Sequence, residues 1–197
     1  MKASTLGAGA LLLSVAAPFA GSPYRAPQHL DVDGLVAQIE RGEDHVTALE
    51  LAGWIRARKP GLRVIDVRTP EEFAAYSIPT AENIPLDRLA PTAFRENETI
   101  VLYSEGGAHA GQAWVLLKAL GRDNVRFIAG GLADWHYEVM APVLAPDASA
   151  KDRKAFEAAS ELSRYFGGEP GLGPAQEPRA SDTATRPRVA TLRRRGC

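Results

Sequence analysis

Apolar positions along the chain fall into short runs separated by polar stretches rich in glycine and proline. Leu62 to Val67, "LRVIDV", is a β-branched run bounded by Pro60-Gly61 and Thr69-Pro70, the pattern of a buried parallel strand. A helix start follows directly. Thr69-Pro70-Glu71-Glu72 offers an N-cap hydroxyl, proline at the first helical position and a glutamate three residues after the cap. The same spacing at Thr47-Ala48-Leu49-Glu50 predicts a helix to about Arg58. Further along, strand Glu82 to Ile84, a brief helix from Leu86, strand Thr99 to Tyr103, helix His109 to Leu120, strand Val125 to Ala129 and helix Leu132 to Met140 are expected. Ala110, Ala113, Trp114, Leu117 and Leu120 recur at helical spacing, so that helix lays one face on a sheet with Trp114 in the core. A last amphipathic helix, Ala150 to Phe166, gathers Phe156, Ala159, Leu162 and Phe166 on one side. Strands alternating with helices predict an α/β fold with an open parallel sheet, in which ligands bind beyond the carboxyl ends of the strands.

Ser104 stands at such an end, in "TIVLYSEGGAHAGQAW". A strand that empties through a glycine-bearing turn into a helix near Ala108 aims backbone N–H groups at one spot, which the helix dipole makes attractive to an anion. The geometry is that of a reaction site, but no neighbour in the sequence activates the Ser104 hydroxyl.

Composition narrows the classes. With 197 residues, 45% hydrophobic and 24% charged, the chain can bury one core of ordinary size. A net charge of −1 without a clustered basic face argues against a nucleic-acid partner. Cys197 is the only cysteine, so neither an intrachain disulfide nor a cysteine-based metal cluster is expected. His29, His45, His109 and His136 lack ligand spacing, and neither metal nor cofactor is expected.

Both ends differ from the middle. Lys2 precedes the apolar run Leu6 to Ala20, the pattern of a secretory signal. A cut after Ala20 or Ser22 meets Pro18 or Pro23, so an uncleaved N-terminal anchor stays open, although the run is shorter than the ~20 residues of a comfortable span. The expected location is periplasmic or secreted, with membrane contact through this segment as the variant. From Gly167 onward the chain is dense in glycine, proline and small polar residues and reads as disordered. Its Arg193-Arg194-Arg195 cluster suits an anionic surface, and the Cys197 thiol suits pairing between chains.

Three blocks, "LRVIDVRTPEEFAAYSIPTAENIPLDRL", "IVLYSEGGAHAGQA" and "VRFIAGGLADW", resemble the rhodanese-like domain family from about Thr47 to Met140. The resemblance implies the rhodanese fold, a parallel sheet of about five strands flanked by helices. It further implies that Asp66 and Arg68 form a scaffold pair and that Gly130, Gly131 and Trp135 form the closing motif. In active members of the family the mouth residue is a cysteine that carries sulfane sulfur as a persulfide, in a six-residue loop that usually ends in a basic residue. Here the loop reads Ser104-Glu105-Gly106-Gly107-Ala108-His109. A thiolate is populated near neutral pH beside helix N–H groups and forms a stable S–S bond, whereas a serine hydroxyl has no accessible alkoxide without a base and holds no transferable persulfide. Glu105 adds a negative charge where an anionic donor would arrive.

The division that follows is a signal peptide or anchor at 1–22, an N-terminal extension at 23–44, a rhodanese-like domain at 45–145, a helical appendage at 146–167 and a disordered tail at 168–197. Three functions are compatible with it. One is a non-catalytic module that binds a protein partner or small anion through Ser104 to His109. Another is sulfur handling with a thiol from a partner or from Cys197. The third is a hydrolase using Ser104 with His109 as base. Partner identity and oligomeric state are left open by the sequence.

Overall fold

A computed structural model of the chain describes residues 31–174. The segment 1–22 and the residues around Cys197 lie outside the described residues, so the export signal and the thiol are sequence expectations only.

The described chain runs α1 (Val32–Glu40), β1 (His45–Val46), α2 (Ala48–Arg56), β2 (Leu62–Asp66), α3 (Pro70–Ala75), β3 (Glu82–Asn83), α4 (Leu86–Leu89), β4 (Thr99–Tyr103) and α5 (Ala108–Ala119). It continues with β5 (Val125–Ile128), α6 (Gly131–Asp134), a π-helical turn (Trp135–Met140), β6 (Val143–Leu144), α7 (Ala150–Tyr165) and β7 (Gly171–Leu172). Strands β1 to β5 form one five-stranded sheet in the order β1-β5-β4-β2-β3, with every pair parallel. Along the central pair the register runs from Leu62 opposite Thr99 to Asp66 opposite Tyr103, so β2 and β4 end side by side. Asp66 and the residue after Tyr103 therefore emerge at the same carboxyl edge, where ligands gather in sheets of this kind.

Side chains alternate across β4. Val101 and Tyr103 join a buried cluster with Leu51, Ala52 and Ile55 of α2, Trp135 and Val139 of the π-helical turn, and Leu162 of α7. Ile100 and Leu102, equally buried, face the other way. On α5, Ala110, Ala113, Trp114 and Leu117 are buried, and the Trp114 indole N–H donates to the Val125 carbonyl at 3.0 Å. Leu120 departs from the expected face: it is 40% exposed, because α5 ends at Ala119 and the chain turns away.

Both expected capping boxes are formed, Thr47 with Glu50 and Thr69 with Glu72. A third, Ser149 with Asp152, starts α7. The expected helix Leu132 to Met140 is instead the short α6 followed by the π-helical turn, which an i→i+5 bond from Ala141 N–H to the His136 carbonyl closes at 2.8 Å. Trp135 and Val139, four residues apart in this turn, are both buried. The disordered tail expected at 168–197 is corrected at its start. Gly168 N–H donates to the Ser163 carbonyl at 2.8 Å, Glu169 N–H to the Met140 carbonyl at 2.7 Å, and β7 pairs with β6. Main-chain bonds order this stretch, which composition alone cannot foresee.

Candidate functional site

Beyond Tyr103 the chain leaves the sheet through Ser104, which is 2% exposed; its hydroxyl oxygen accepts the Ala110 N–H at 3.3 Å. Glu105 and Gly106 are exposed, and Gly107 caps α5 in the left-handed conformation at φ +84°. The turn is seated on the Gly130-Gly131 corner: Leu132 N–H donates to the Ser104 carbonyl at 2.8 Å and Ala133 N–H to the Glu105 carbonyl at 3.1 Å. Contact is so close that a Cβ on Gly107 would overlap the Ala129 carbonyl, and one on Gly131, itself at φ +62°, would overlap the Ser104 carbonyl. Glycine is required at both positions by space as well as by backbone angle.

With its carbonyls held this way, the turn leaves its amides without protein partners: among the described residues, the N–H groups of Glu105, Gly106, Gly107, Ala108 and His109 donate to no protein acceptor. They lie at the N-terminus of the twelve-residue α5, where the dipole is equivalent to roughly half a positive charge. Such a turn can hold an anion or another acceptor-rich group.

The adjacent end of β2 supplies the full charges. Asp66 is completely buried and receives Arg68 on both oxygens, Nε to Oδ1 at 3.0 Å and Nη2 to Oδ2 at 2.7 Å. The Arg68 side chain, 6% exposed, also donates through Nη2 to the Tyr76 carbonyl at 2.7 Å and through Nη1 to Glu105 Oε2 at 3.0 Å. Hydrogen bonding to Asp66 holds the Arg68 guanidinium far above its ordinary pKa against the opposing effect of burial. The Asn83 amide closes the corner, donating to the carbonyls of Asp66 and Arg68 at 3.2 and 3.0 Å. Burial, then hydrogen bonding to Asp66, raises the Tyr103 phenol pKa well above its usual value, and its oxygen accepts the Ile78 N–H at 3.1 Å.

Residues 47–138 match the sequence profile of the rhodanese-like domain. The chain is 38% identical over 74 residues to thiosulfate sulfurtransferase PspE of Escherichia coli, a match covering 36% of this chain and 70% of that protein. It is 35% identical over 89 residues to human thiosulfate:glutathione sulfurtransferase, covering 37% and 77%. The chain belongs to the rhodanese-like family. An uncharacterized protein of Synechocystis is 35% identical over 74 residues, and the chain spans 41% of its length. Among solved structures, the human single-domain sulfurtransferase TSTD1 is 30% identical with a TM-score of 0.42, covering 47% of this chain and 94% of that one.

Within this rhodanese-like domain the predicted loop divides into a turn, Ser104 to Gly107, and the first residues of α5, Ala108 and His109, while Asp66 and Arg68 are joined to each other and Arg68 to Glu105 of the loop. Ser104 and His109 are not brought together. His109 is exposed and makes no hydrogen bond to the Ser104 hydroxyl; the Glu72 carboxylate is held below the usual range by the Thr69 N–H first, with smaller contributions from the Arg68 and His109 charges. Among the described residues no side-chain base is hydrogen-bonded to the Ser104 hydroxyl, whose oxygen accepts the Ala110 N–H. Among the described residues, no group of three or more histidine, cysteine, aspartate or glutamate side chains could hold a metal ion.

Sequence reasoning missed the support around Arg68. Tyr76, whose hydroxyl accepts the Trp135 indole N–H at 3.1 Å and whose ring lies 4.5 Å from that of His136, has no local signal. Asn83 could have been found as the one uncharged polar residue of the expected strand Glu82 to Ile84; the observed strand β3 ends on it, beside the carbonyls of Asp66 and Arg68.

Proposed function

We propose that this rhodanese-like protein handles sulfur compounds outside the cytoplasm as a non-catalytic module, binding a protein partner or small anionic ligand through the loop Ser104 to His109. The observation that carries this reading is the buried Ser104 hydroxyl, engaged by Ala110 N–H, at the mouth position where active members of the family carry cysteine. Oxygen there forms no persulfide, while the turn that would cradle the ligand keeps its open amides. The names of the relatives, a thiosulfate sulfurtransferase and a thiosulfate:glutathione sulfurtransferase, supply the ligand class by analogy: small sulfur-bearing anions. The hydrolase reading lacks the Ser104 to His109 contact on which it depends.

Turnover decides between binding and transfer. The purified chain, and Cys197→Ser with it, is expected to convert thiosulfate and cyanide to thiocyanate no faster than a variant lacking Glu105 to Ala108. Turnover above that control in Cys197→Ser would overturn the non-catalytic reading.

Location rests on the charged start and apolar run Leu6 to Ala20. No helix among the described residues is long and apolar enough to cross a membrane. A reporter that is active only after export, fused to the C-terminus, is expected to give signal that deletion of Leu11 to Val15 abolishes. Signal only from a reporter confined to the cytoplasm would refute export.

A further inference from the structure

Arg68 divides its donors unequally. Asp66 and the Tyr76 carbonyl take the inner ones and form part of the scaffold, whereas Glu105, on the loop itself, takes Nη1. Among the described residues Arg68 is the one arginine bonded to the loop, so it is the fixed cation that an anion entering the turn would engage. Its outward arm is already paired with a carboxylate whose side chain is 69% exposed. The mouth thus holds one guanidinium between two carboxylates and carries net negative charge despite its open amides.

We propose that Glu105 is the specificity-determining residue of the loop: by pairing with Arg68 it selects against dianions and leaves the turn to singly charged or neutral sulfur ligands. This rests on the loop being the ligand site. A dianion meets twice the repulsion from Glu105 that a monoanion meets, and it loses the unpaired cation that would offset this. A monoanion or a neutral acceptor is held by the amides at smaller penalty.

Coulomb energy scales with ligand charge, so removing the Glu105 charge strengthens dianion binding by about the square of the factor for a monoanion. Glu105→Gln keeps the side-chain length and an oxygen to accept Arg68 Nη1, which preserves the turn. Glu71→Gln removes the same unit of charge from α3, at an exposed site without a bond to Arg68, and separates a local effect from a change in overall charge.

The full chain and both variants are titrated with thiocyanate and with sulfate at constant ionic strength, following the amide resonances of Glu105 to Ala110. Glu105→Gln is expected to tighten thiocyanate about threefold and sulfate about tenfold, with Glu71→Gln within about 1.5-fold of wild type for both. Equal gains for the two anions, no gain, or a gain as large in Glu71→Gln would overturn the assignment of selectivity to Glu105 while leaving the loop as the site. Loop amides that move for neither anion in any of the three proteins would overturn the loop as an anion site and this selectivity with it.

Discussion

Asp66→Ala is expected to destabilise the protein by about 3–5 kcal/mol, the range for removing one partner of a buried ion pair. The substitution leaves the Arg68 guanidinium, 6% exposed, without the carboxylate that receives it on both oxygens, and also frees the Arg68 N–H that donates to Asp66 Oδ1 at 2.9 Å. The Tyr76 carbonyl and the exposed Glu105 cannot replace a buried counter-charge. Asp66→Asn keeps the shape and one acceptor and is expected to lose about half as much. Arg63→Ala provides the contrast: that arginine pairs with Glu82 at 2.7 Å and Glu98 at 3.4 Å near the surface, and its loss is expected to cost about 1 kcal/mol. Urea unfolding of the three variants checks the order. Asp66→Ala within about 1 kcal/mol of wild type would mean that the pair is not the anchor of this edge of the sheet.

The parts of the fold that were legible are those written in neighbouring residues. Thr47 and Thr69 announce their helices because the cap and its glutamate lie three positions apart, and "LRVIDV" announces β2 because both its faces are buried. The cap of α7 escaped notice because Asp152 stands where the usual signature has glutamate or glutamine. Helix α1 was legible but not read: Val32, Leu35, Val36 and Ile39 recur at i, i+3, i+4 and i+7 behind the Asp31 cap, although in the fold only Leu35 of that stripe is buried and the other three are exposed. The β6–β7 ribbon escaped because main-chain pairing holds Gly171 and Leu172 in a stretch whose side chains say loop.

At the site, the order of residues in the turn could be read directly, but its electrostatics could not. Whether Glu105 faces the cradle or the solvent depends on a guanidinium 37 positions away in the sequence, brought alongside only because β2 and β4 pair in register. Arg68 resolves the question in a third way, taking the carboxylate as its own partner. The separation of Ser104 and His109 was likewise hidden: five residues apart in sequence, one is buried and the other exposed, and no hydrogen bond joins them.

Under the proposed function the mouth of this rhodanese-like loop carries no sulfur, because Ser104 offers an oxygen where a persulfide needs sulfur. In Ser104→Cys the thiol would replace a hydroxyl at the start of α5, where open amides and the helix dipole lower a thiol pKa. Its thiolate would attack the outer sulfur of thiosulfate, forming an S–S bond and releasing sulfite. Glu105 and His109 remain, so loading is expected to be partial. The decisive measurement is the mass of the loop peptide after incubation with thiosulfate under non-reducing conditions, in a Cys197→Ser background. The wild-type loop is expected to gain nothing and Ser104→Cys to gain one sulfur atom on a fraction of the molecules. A wild-type loop peptide that carries an added sulfur would contradict the claim.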